Sequence, residues 1–553
     1  MSDDLRAHLD ALNAPRPTRA WRRRTLELLD DPAARDEVLR RVRWYATKEP
    51  RPVGGRPFSD PSLRGEPGGR GRVWAAALTG DPGMIELLDV IVRRAAGVTR
   101  EFEPSAKLAG GAVNALSEFT DPRALDVLRG LRRDVRYPGL GRQIGTAVEA
   151  AAARRGITPA QLVERGVPAH GLGRDGSLAR DIGAYQAVLL IEDPLTVGLT
   201  FTGADGRPLR TVPGAVKVPF AAQIKELKVL VKQVRATLAA ERTRIEALMA
   251  VERTWPYGEW CRHYRDHPVT GVVARGLIWE FEAPDGIWHA ATPGEGVLVT
   301  VDGRALPAPA AGARVRLWHP ARAFPGAVRA WREFVTGNRM PQPFKQAYRE
   351  TYRPGPAATE AALRCGCFDG EVRRVFAEGD WRVSCHHETG RDAGEVRFER
   401  RAAGRWARTP PRDVPPLVFS EGMREADLFV GVTSIAAEDP FGEPSASAVI
   451  RGDALRRILP GTRIAGRCSV DGRFLVVRGE LRTYKIHLGS AAVLMEPGNA
   501  RLRVEPTRRP GQKGLFLPFE DERLTLILGT AFLLAADHKI TDRAVLRQIR
   551  RGA

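Results

Sequence analysis

Hydrophobic and polar positions alternate in three different ways along this chain. In the first 165 or so residues, Leu- and Ala-rich stretches of helical period (RTLELL, RVWAAAL, AVNALSEF) each run into Asp31-Pro32, Asp81-Pro82 or Asp121-Pro122. Each Asp-Pro pair then opens another such stretch (ARDEVLRRV, MIELLDVIVRRA, ALDVLRGLRR). Aspartate before proline starts a helix. The carboxylate accepts an orphan backbone N–H as N-cap, and proline at the first helical position loses no bond because its missing donor had no partner. The spacings of 50 and 40 residues bracket the helix-pair period of HEAT-like repeats, about 40–47. A helical, HEAT-like repeat segment is expected over 1–169, with Arg51 to Gly71, rich in Pro, Gly and Arg, as a long loop inside it.

Residues 170–269 read as a connector and a long helix. GLGRDG, AVLLIEDPLTVGLTF and GADGRP predict one or two strands with turns. Pro219 then opens a helix with apolar residues at Ile224, Leu227, Val231, Val234, Leu238, Ile245 and Leu248, and only Glu241 breaks the series. This is a coiled-coil-type seam. An intramolecular helix hairpin packed on the helical segment is favoured over a zipper between chains. From Thr270 the period shortens to two, with GVVARGLIWEFEA, GEGVLVTVDG and ARVRLWHP as short strands between Gly, Pro and Asp-Gly turns. Helices are expected at Pro325 to Phe334 and Pro343 to Tyr352, a mixed stretch to Asp413, and a boundary at TPPRDVPP. After it come the hairpin GRFLVVRGELRTYKIHLG, a strand pair around Ala491 to Val504, and two final helices, ERLTLILGTAFLLAADH and TDRAVLRQIRR. The fold class is α+β and multidomain, in four stretches: 1–169, 170–269, 270–413 and 414–553.

Composition narrows the class. A chain of 553 residues and 60.7 kDa exceeds one hydrophobic core and suits three or four units of roughly 150 residues. Hydrophobic residues at 43% and charged residues at 27% exclude wholesale disorder. The net charge of +20 attracts polyanions, yet only 10 of the 86 basic residues are Lys, as a GC-rich genome would impose. The basic residues are scattered, the longest runs being Arg22-Arg23-Arg24, Arg508-Arg509 and the C-terminal RQIRRGA. Nucleic-acid binding is therefore expected to be weak and non-specific at most. Five cysteines form no disulfide framework and imply a reducing compartment. The N-terminus lacks a signal pattern, and the apolar run Leu524 to Ala536 is too short to span a bilayer, so a cytoplasmic, non-membrane protein is expected.

Candidate chemistry is sparse. As a helix, QPFKQAYRETY would carry Phe344, Tyr348 and Tyr352 on an apolar face and Gln342, Gln346, Arg349 and Arg353, flanked by Glu350, on a polar one. Such a polar face is either a binding wall for an anionic or amide-bearing partner or a hydrogen-bonded domain interface or solvated surface. In YKIHLGS, strand alternation places Lys485 and His487 on one face, where a lysine can lower the imidazole pKa and leave it neutral as a base, although no nucleophile or carboxylate is fixed beside it by sequence. His319 in RLWHP ends a strand and reads as structural. Ser420 in SEGMREADLF reads as a helix cap, with Arg424 and Asp427 on the polar face of that helix. Cys365, Cys367, Cys385, His386 and His387 form one soft-ligand cluster, and Cys261, His263 and His267 another. Neither matches a paired CxxC or an HExxH spacing, so no metal is expected. No P-loop or strand-linked GxGxxG occurs, and no cofactor is expected.

VPPLVFSEGMREADLFVGV, LRTYKIHLGSAAVLMEP, LFLPFEDERL and LLAADHKITDRAVLRQI resemble the closing blocks of the MolR-like family, bacterial proteins built on a domain of unknown function. ARGLIWEF, RLWHP and QPFKQAYRETY resemble its opening blocks, so the resemblance covers roughly 270–553. It implies association with a MoxR-type AAA ATPase and a von Willebrand A-type protein in stress or conflict systems. The nucleic-acid-linked WGR module that relatives often carry is not found here. The leading expectation is a non-enzymatic interaction or regulatory subunit. The alternatives are an enzyme whose cleft draws on Gln346, Arg349, Glu350 and His487, and a non-specific nucleic-acid binder.

Overall fold

A computed structural model describes residues 2–50, 63, 68–99, 101–154, 156–294, 296–355, 361–364, 370–387, 393–433, 445–504 and 514–551. The chain divides into two compact units, Met1–Val167 and Pro168–Ala553. It is an α+β protein, helical in the first unit and built on four antiparallel sheets in the second.

The first unit contains, among the described residues, nine helices: α1 (Asp3–Asp10), α2 (Arg19–Leu29), α3 (Pro32–Thr47), α4 (Gly69–Leu78), α5 (Met84–Ala95), α6 (Ala106–Leu116), α7 (Pro122–Asp134), α8 (Pro138–Arg154) and α9 (Pro159–Arg165). Helices pack on their second neighbours in two rows, α3 on α5 and α5 on α7, α4 on α6 and α6 on α8. Asp31 and Asp121 cap α3 and α7, accepting from the N–H groups of Ala33 and Arg123 at 3.0 and 2.8 Å. The middle Asp-Pro pair works differently. Asp81 accepts from Gly83 N–H at 2.8 Å and forms a turn, and α5 begins only at Met84. Most of 51–71 lies outside the described residues, but Gly69, Arg70 and Gly71 already belong to α4 rather than to a loop. A Cβ at Gly71 would stand 2.1 Å from the Leu9 carbonyl oxygen, so glycine is what lets α1 and α4 touch.

In the second unit, the connector is a full sheet rather than one or two strands. It is β1 (Ser177–Ile182), β2 (Tyr185–Ile191), β3 (Val197–Thr202) and β4 (Pro208–Leu209), in that order. After α10 (Gly214–Lys217), the 27-residue α11 (Ala221–Ala247) buries the predicted seam. No helix hairpin forms. Ile224 and Leu227 join Ala187 and Phe201 in one core cluster, and Val231, Val234 and Leu238 join Leu189 and Val197 in another. The seam therefore closes on the sheet. Glu241, its one polar member, is buried and paired with Arg244 at 2.9 and 2.7 Å, and it accepts from the Thr270 hydroxyl at 2.8 Å.

The second sheet runs β5 (Thr254–Pro256), β10 (Arg314–Leu317), β6 (Trp279–Glu282), β7 (Trp288–Pro293), β8 (Leu298–Thr300) and β9 (Ala305–Leu306). Short helices α12 (Tyr257–Trp260) and α13 (Thr270–Arg275) flank it. The stretch GVVARGLIWEFEA is thus helix in its first half and strand only from Trp279. Helix α14 (Pro325–Gly337) follows. A third sheet was unread in the sequence. It contains β11 (Ala361–Arg364), β12 (Gly370–Phe376), β13 (Trp381–His387), β14 (Ala393–Ala402) and β15 (Arg405–Thr409). Its order is β11, β14, β13, β12, and β15 also pairs with β14. Helices α15 (Pro416–Thr433) and α16 (Ala446–Ile458) lead to a meander of β16 (Cys468–Asp471), β17 (Phe474–Arg478), β18 (Thr483–His487), β19 (Val493–Met495) and β20 (Ala500–Leu502). Helices α17 (Glu522–Leu534) and α18 (Arg543–Arg551) close the chain.

Candidate functional site

The segment expected to be a helix at Pro343 to Tyr352 is not helical, and residues 342–350 are buried without a break. Its backbone groups are claimed by side chains, two from elsewhere (Arg242 and Arg332) and two of its own (Gln342 and Arg349). The carbonyls of Pro343, Lys345 and Ala347 accept from Arg242, Arg349 and Arg332 at 2.9, 3.0 and 2.9 Å, and Ala347 N–H donates to the Gln342 amide oxygen at 3.0 Å. A buried backbone group must be paired, and these partners replace the helical ladder.

The polar residues of this segment therefore point inward. Gln346 accepts from Ile278 N–H at 2.8 Å and donates to the carbonyls of Ile278 and Trp318 at 2.9 Å each, tying the segment to the second sheet. Gln342 donates to Gln346 at 3.4 Å. Arg349, 2% exposed, grips both oxygens of Glu421 on α15 at 2.7 and 2.6 Å and reaches Glu246 on α11 at 2.9 Å. Glu350, 1% exposed, receives Lys345, the Ser447 hydroxyl on α16 at 2.9 Å and Arg424 on α15 at 3.1 Å. Arg451 pairs with Asp521, the N-cap of α17, at 3.0 Å. Four cations (Lys345, Arg349, Arg424, Arg451) thus face four carboxylates (Glu246, Glu350, Glu421, Asp521), and the cluster closes on itself.

The electrostatics follow from the pairing. Burial alone would raise the Glu421 carboxyl, but Arg349 and His319 hold it far below the usual carboxylate range. Burial would likewise raise Glu350, yet Lys345 and Arg424 bring it down to about 2. His319 is 1% exposed. Its Nδ1 accepts from Ala321 N–H at 2.9 Å, so Nε2 carries the proton and donates to Glu421 at 3.0 Å, and burial lowers its pKa. Ser420 does not cap. Helix α15 begins at Pro416, and the Ser420 hydroxyl accepts from Tyr352 N–H at 3.1 Å while Asp427 accepts from the Tyr352 hydroxyl at 2.6 Å. Phe344 and Tyr348 are core residues. Chemically, the cluster can tie α11, α15, α16, α17 and the second sheet together. Its side chains are buried except that of Glu246, which is partly exposed.

The remaining candidates are dispersed. Arg353 is exposed and donates to the Ala321 carbonyl at 3.3 Å. Lys485 pairs with Glu496 at 2.6 Å, whereas His487 is buried beside the Ser490 hydroxyl at 2.9 Å. Cys365 and Cys367 lie outside the described residues, and Cys385 is buried on β13, where His386 and His387 follow it. His267 Nδ1 accepts from the N–H groups of Val269 and Thr270 at 3.2 and 3.1 Å. Among the described residues no group of three His, Cys, Asp or Glu stands where it could hold a metal. No described helix is long and apolar enough to cross a membrane.

Among the described residues, two of the recesses that open to solvent are cationic. One lies between β3 and α11, with Arg210, Lys228, Lys232 and Arg235 around an apolar floor of Val197 and Val231. The other places Arg314, Arg316 and Arg322 about Trp288 and Glu252, but there Arg314 and Arg316 are already paired with Glu282 and Glu280. Sequence reasoning missed the first recess. A signal existed: four of the chain's ten lysines, Lys217, Lys225, Lys228 and Lys232, fall within 217–232.

Residues 206–375 match a domain of unknown function, DUF4132, and residues 448–549 match a second, DUF7737. The first match starts well before Thr270, taking in α11; the closing blocks at 481–497, 515–524 and 533–549 fall in the second domain rather than in a continuation of the first, and the block at 414–432 lies in neither match. The chain is 26% identical over 181 residues to the uncharacterized protein YehI of Escherichia coli (strain K12), an overlap of 32% of this chain and 14% of that relative. The matched stretch is thus a small part of the relative's length. No solved structure matches the chain.

Proposed function

We propose that this protein is a non-enzymatic interaction subunit of a bacterial multi-protein system, acting in the cytoplasm. One observation carries the reading. The ionic side chains of the central segment are spent on one another inside the core, while the recess that solvent reaches presents cations without carboxylate partners among the described residues. A general acid or base must reach its substrate, and Gln346, Arg349 and Glu350 do not reach a cleft. A cationic recess with an apolar floor suits recognition instead. The MolR-like resemblance and a HEAT-like reading of the helical unit agree with such a role, and they make a MoxR-type AAA ATPase and a von Willebrand A-type protein the first partners to seek. Affinity purification from the native host with mass spectrometry tests this. A stoichiometric protein partner is expected. A small molecule that co-purifies and is converted by the protein, with no protein partner, would overturn it.

A further inference from the structure

The recess beside β3 has an open strand edge as one wall. Glu192 N–H donates to the Thr196 carbonyl oxygen at 2.9 Å while Thr196 N–H turns to the Asp193 carbonyl at 3.3 Å, so the Glu192–Thr196 position bonds across the closing end of the β2–β3 hairpin. Pairing alternates along an antiparallel ladder, and β2 and β3 stay in register from Ile191↔Val197 to Gln186↔Thr202. Val197, Leu199 and Phe201 therefore turn their N–H and C=O groups away from β2. Phe201 is covered by Leu209, but β4 pairs only at Phe201 and Thr202 and stops there. The Val197 carbonyl accepts from Arg235 at 2.8 Å, confirming the outward direction. Leu199 has no backbone partner on this side among the described residues.

The other wall is cationic. Lys225, Lys228, Lys232 and Arg235 are exposed and recur on α11 at steps of three and four, which places them on one face. Arg210 joins them just after β4. Among the described residues Arg210, Lys225, Lys228 and Lys232 make no ion pair, and Glu192 is the one carboxylate lining the recess. The floor is apolar, from Val197, Leu199 and Val231.

We propose that the β3 edge receives an extended acidic segment of a partner protein as an added strand, with its carboxylates on Arg210, Lys228, Lys232 and Arg235. This rests on the interaction reading and adds the chemistry of one partner. Strand addition takes affinity from main-chain bonds to a free edge and selectivity from alternate side chains. Here, among the described residues, the edge is open at Leu199, between the Val197 carbonyl held by Arg235 and Phe201 covered by Leu209, and the cations stand beside it. A single-stranded nucleic acid fits less well, because such ligands stack their bases on aromatic rings and among the described residues no aromatic side chain lines the recess. Cations near an open edge can also serve only to deter self-pairing. That function predicts no affinity for any acidic peptide.

The test uses the full chain and a fluorescent peptide of about eight residues alternating Glu and Val, followed by anisotropy. Binding is expected for this peptide and not for its Lys-Val counterpart. It should weaken by about tenfold or more in a Lys228→Glu, Lys232→Glu double variant, and equally when alternate peptide nitrogens are methylated to remove donors on one edge. Both lysines are exposed, so the melting temperature of the variant should match that of the parent. The methylated peptide decides independently if it does not. Absence of binding, binding indifferent to methylation, or tighter binding of oligothymidylate would each overturn the proposal. If affinity purification still returned a partner held equally well by the double variant, this inference would fail while the interaction reading stood.

Discussion

Arg349 and Glu421, 72 residues apart in sequence, meet fork to fork in the core, with Nε and Nη2 on the two carboxylate oxygens at 2.7 and 2.6 Å. Bidentate geometry is the strongest form such a pair takes, and the third guanidinium nitrogen is held by Glu246. The pair fastens the irregular segment 342–350 to α15.

Arg349→Ala should lower unfolding free energy by about 3–5 kcal/mol, since it strands Glu421 as an uncompensated buried charge. Urea denaturation measures it. An Arg349→Met, Glu421→Leu double variant should recover part of the loss, because it removes the stranded charge, while the buried His319 Nε2–H loses its acceptor. A cost near zero for Arg349→Ala would show that the side chain is not the tie described here.

Tyr348 fills the core and bonds Thr336 Oγ1 at 2.6 Å and the Arg332 carbonyl at 3.2 Å. Truncation to Ala should cost about 3–5 kcal/mol through the cavity left behind. Tyr348→Phe, which loses only the hydroxyl, should cost about 1–2 kcal/mol. Thermal and urea unfolding of the two variants separate packing from hydrogen bonding.

Acid should unfold the protein in two stages. His319 has a folded pKa below its ordinary 6.5, so the unfolded chain protonates first and stability declines as pH falls below about that value. Glu421 and Glu350 have folded values below the ordinary 4.5, with Glu350 at about 2, so their contribution is complete above 4.5 and is lost as pH falls from there toward 2. Urea midpoints at several pH values check this. Glu421→Gln should flatten the lower stage and His319→Gln the upper one.

Glu241 looks like a flaw in the α11 seam. If α11 were a zipper, Glu241→Leu would stabilise it. In the structure the change removes the acceptor of Arg244 and Thr270. A loss of about 1–3 kcal/mol is expected, with no change in oligomeric state by light scattering.

Binding to duplex DNA should be weak, indifferent to sequence, and linear in falling log affinity against log salt, because it comes from dispersed phosphate contacts. Titration of unrelated duplexes at two salt concentrations checks it. A preference for one sequence that persists at high salt would contradict it.

What could be read along the chain was what a few neighbouring residues decide. Asp31 and Asp121 start helices because cap and capped N–H lie two residues apart. The hairpin of β17 and β18 and the closing helices α17 and α18 were visible for the same reason, in turn chemistry and apolar period. Together these gave the α+β class. Tertiary structure decided the rest. QPFKQAYRETY has helical period, yet the side chains of Arg242 and Arg332 take two of its carbonyls, and Glu421 takes Arg349, whose face the period alone leaves open between a binding wall, an interface and a solvated surface. The α11 seam carried no mark of whether a second helix or a sheet would cover it, and the sheet did. The open edge of β3 depends on where β4 stops. Local capping and periodicity are properties of adjacent residues, whereas the pairing of a buried charge or a buried carbonyl is settled by groups tens to hundreds of residues away, because no polar group can stay in the core without a partner.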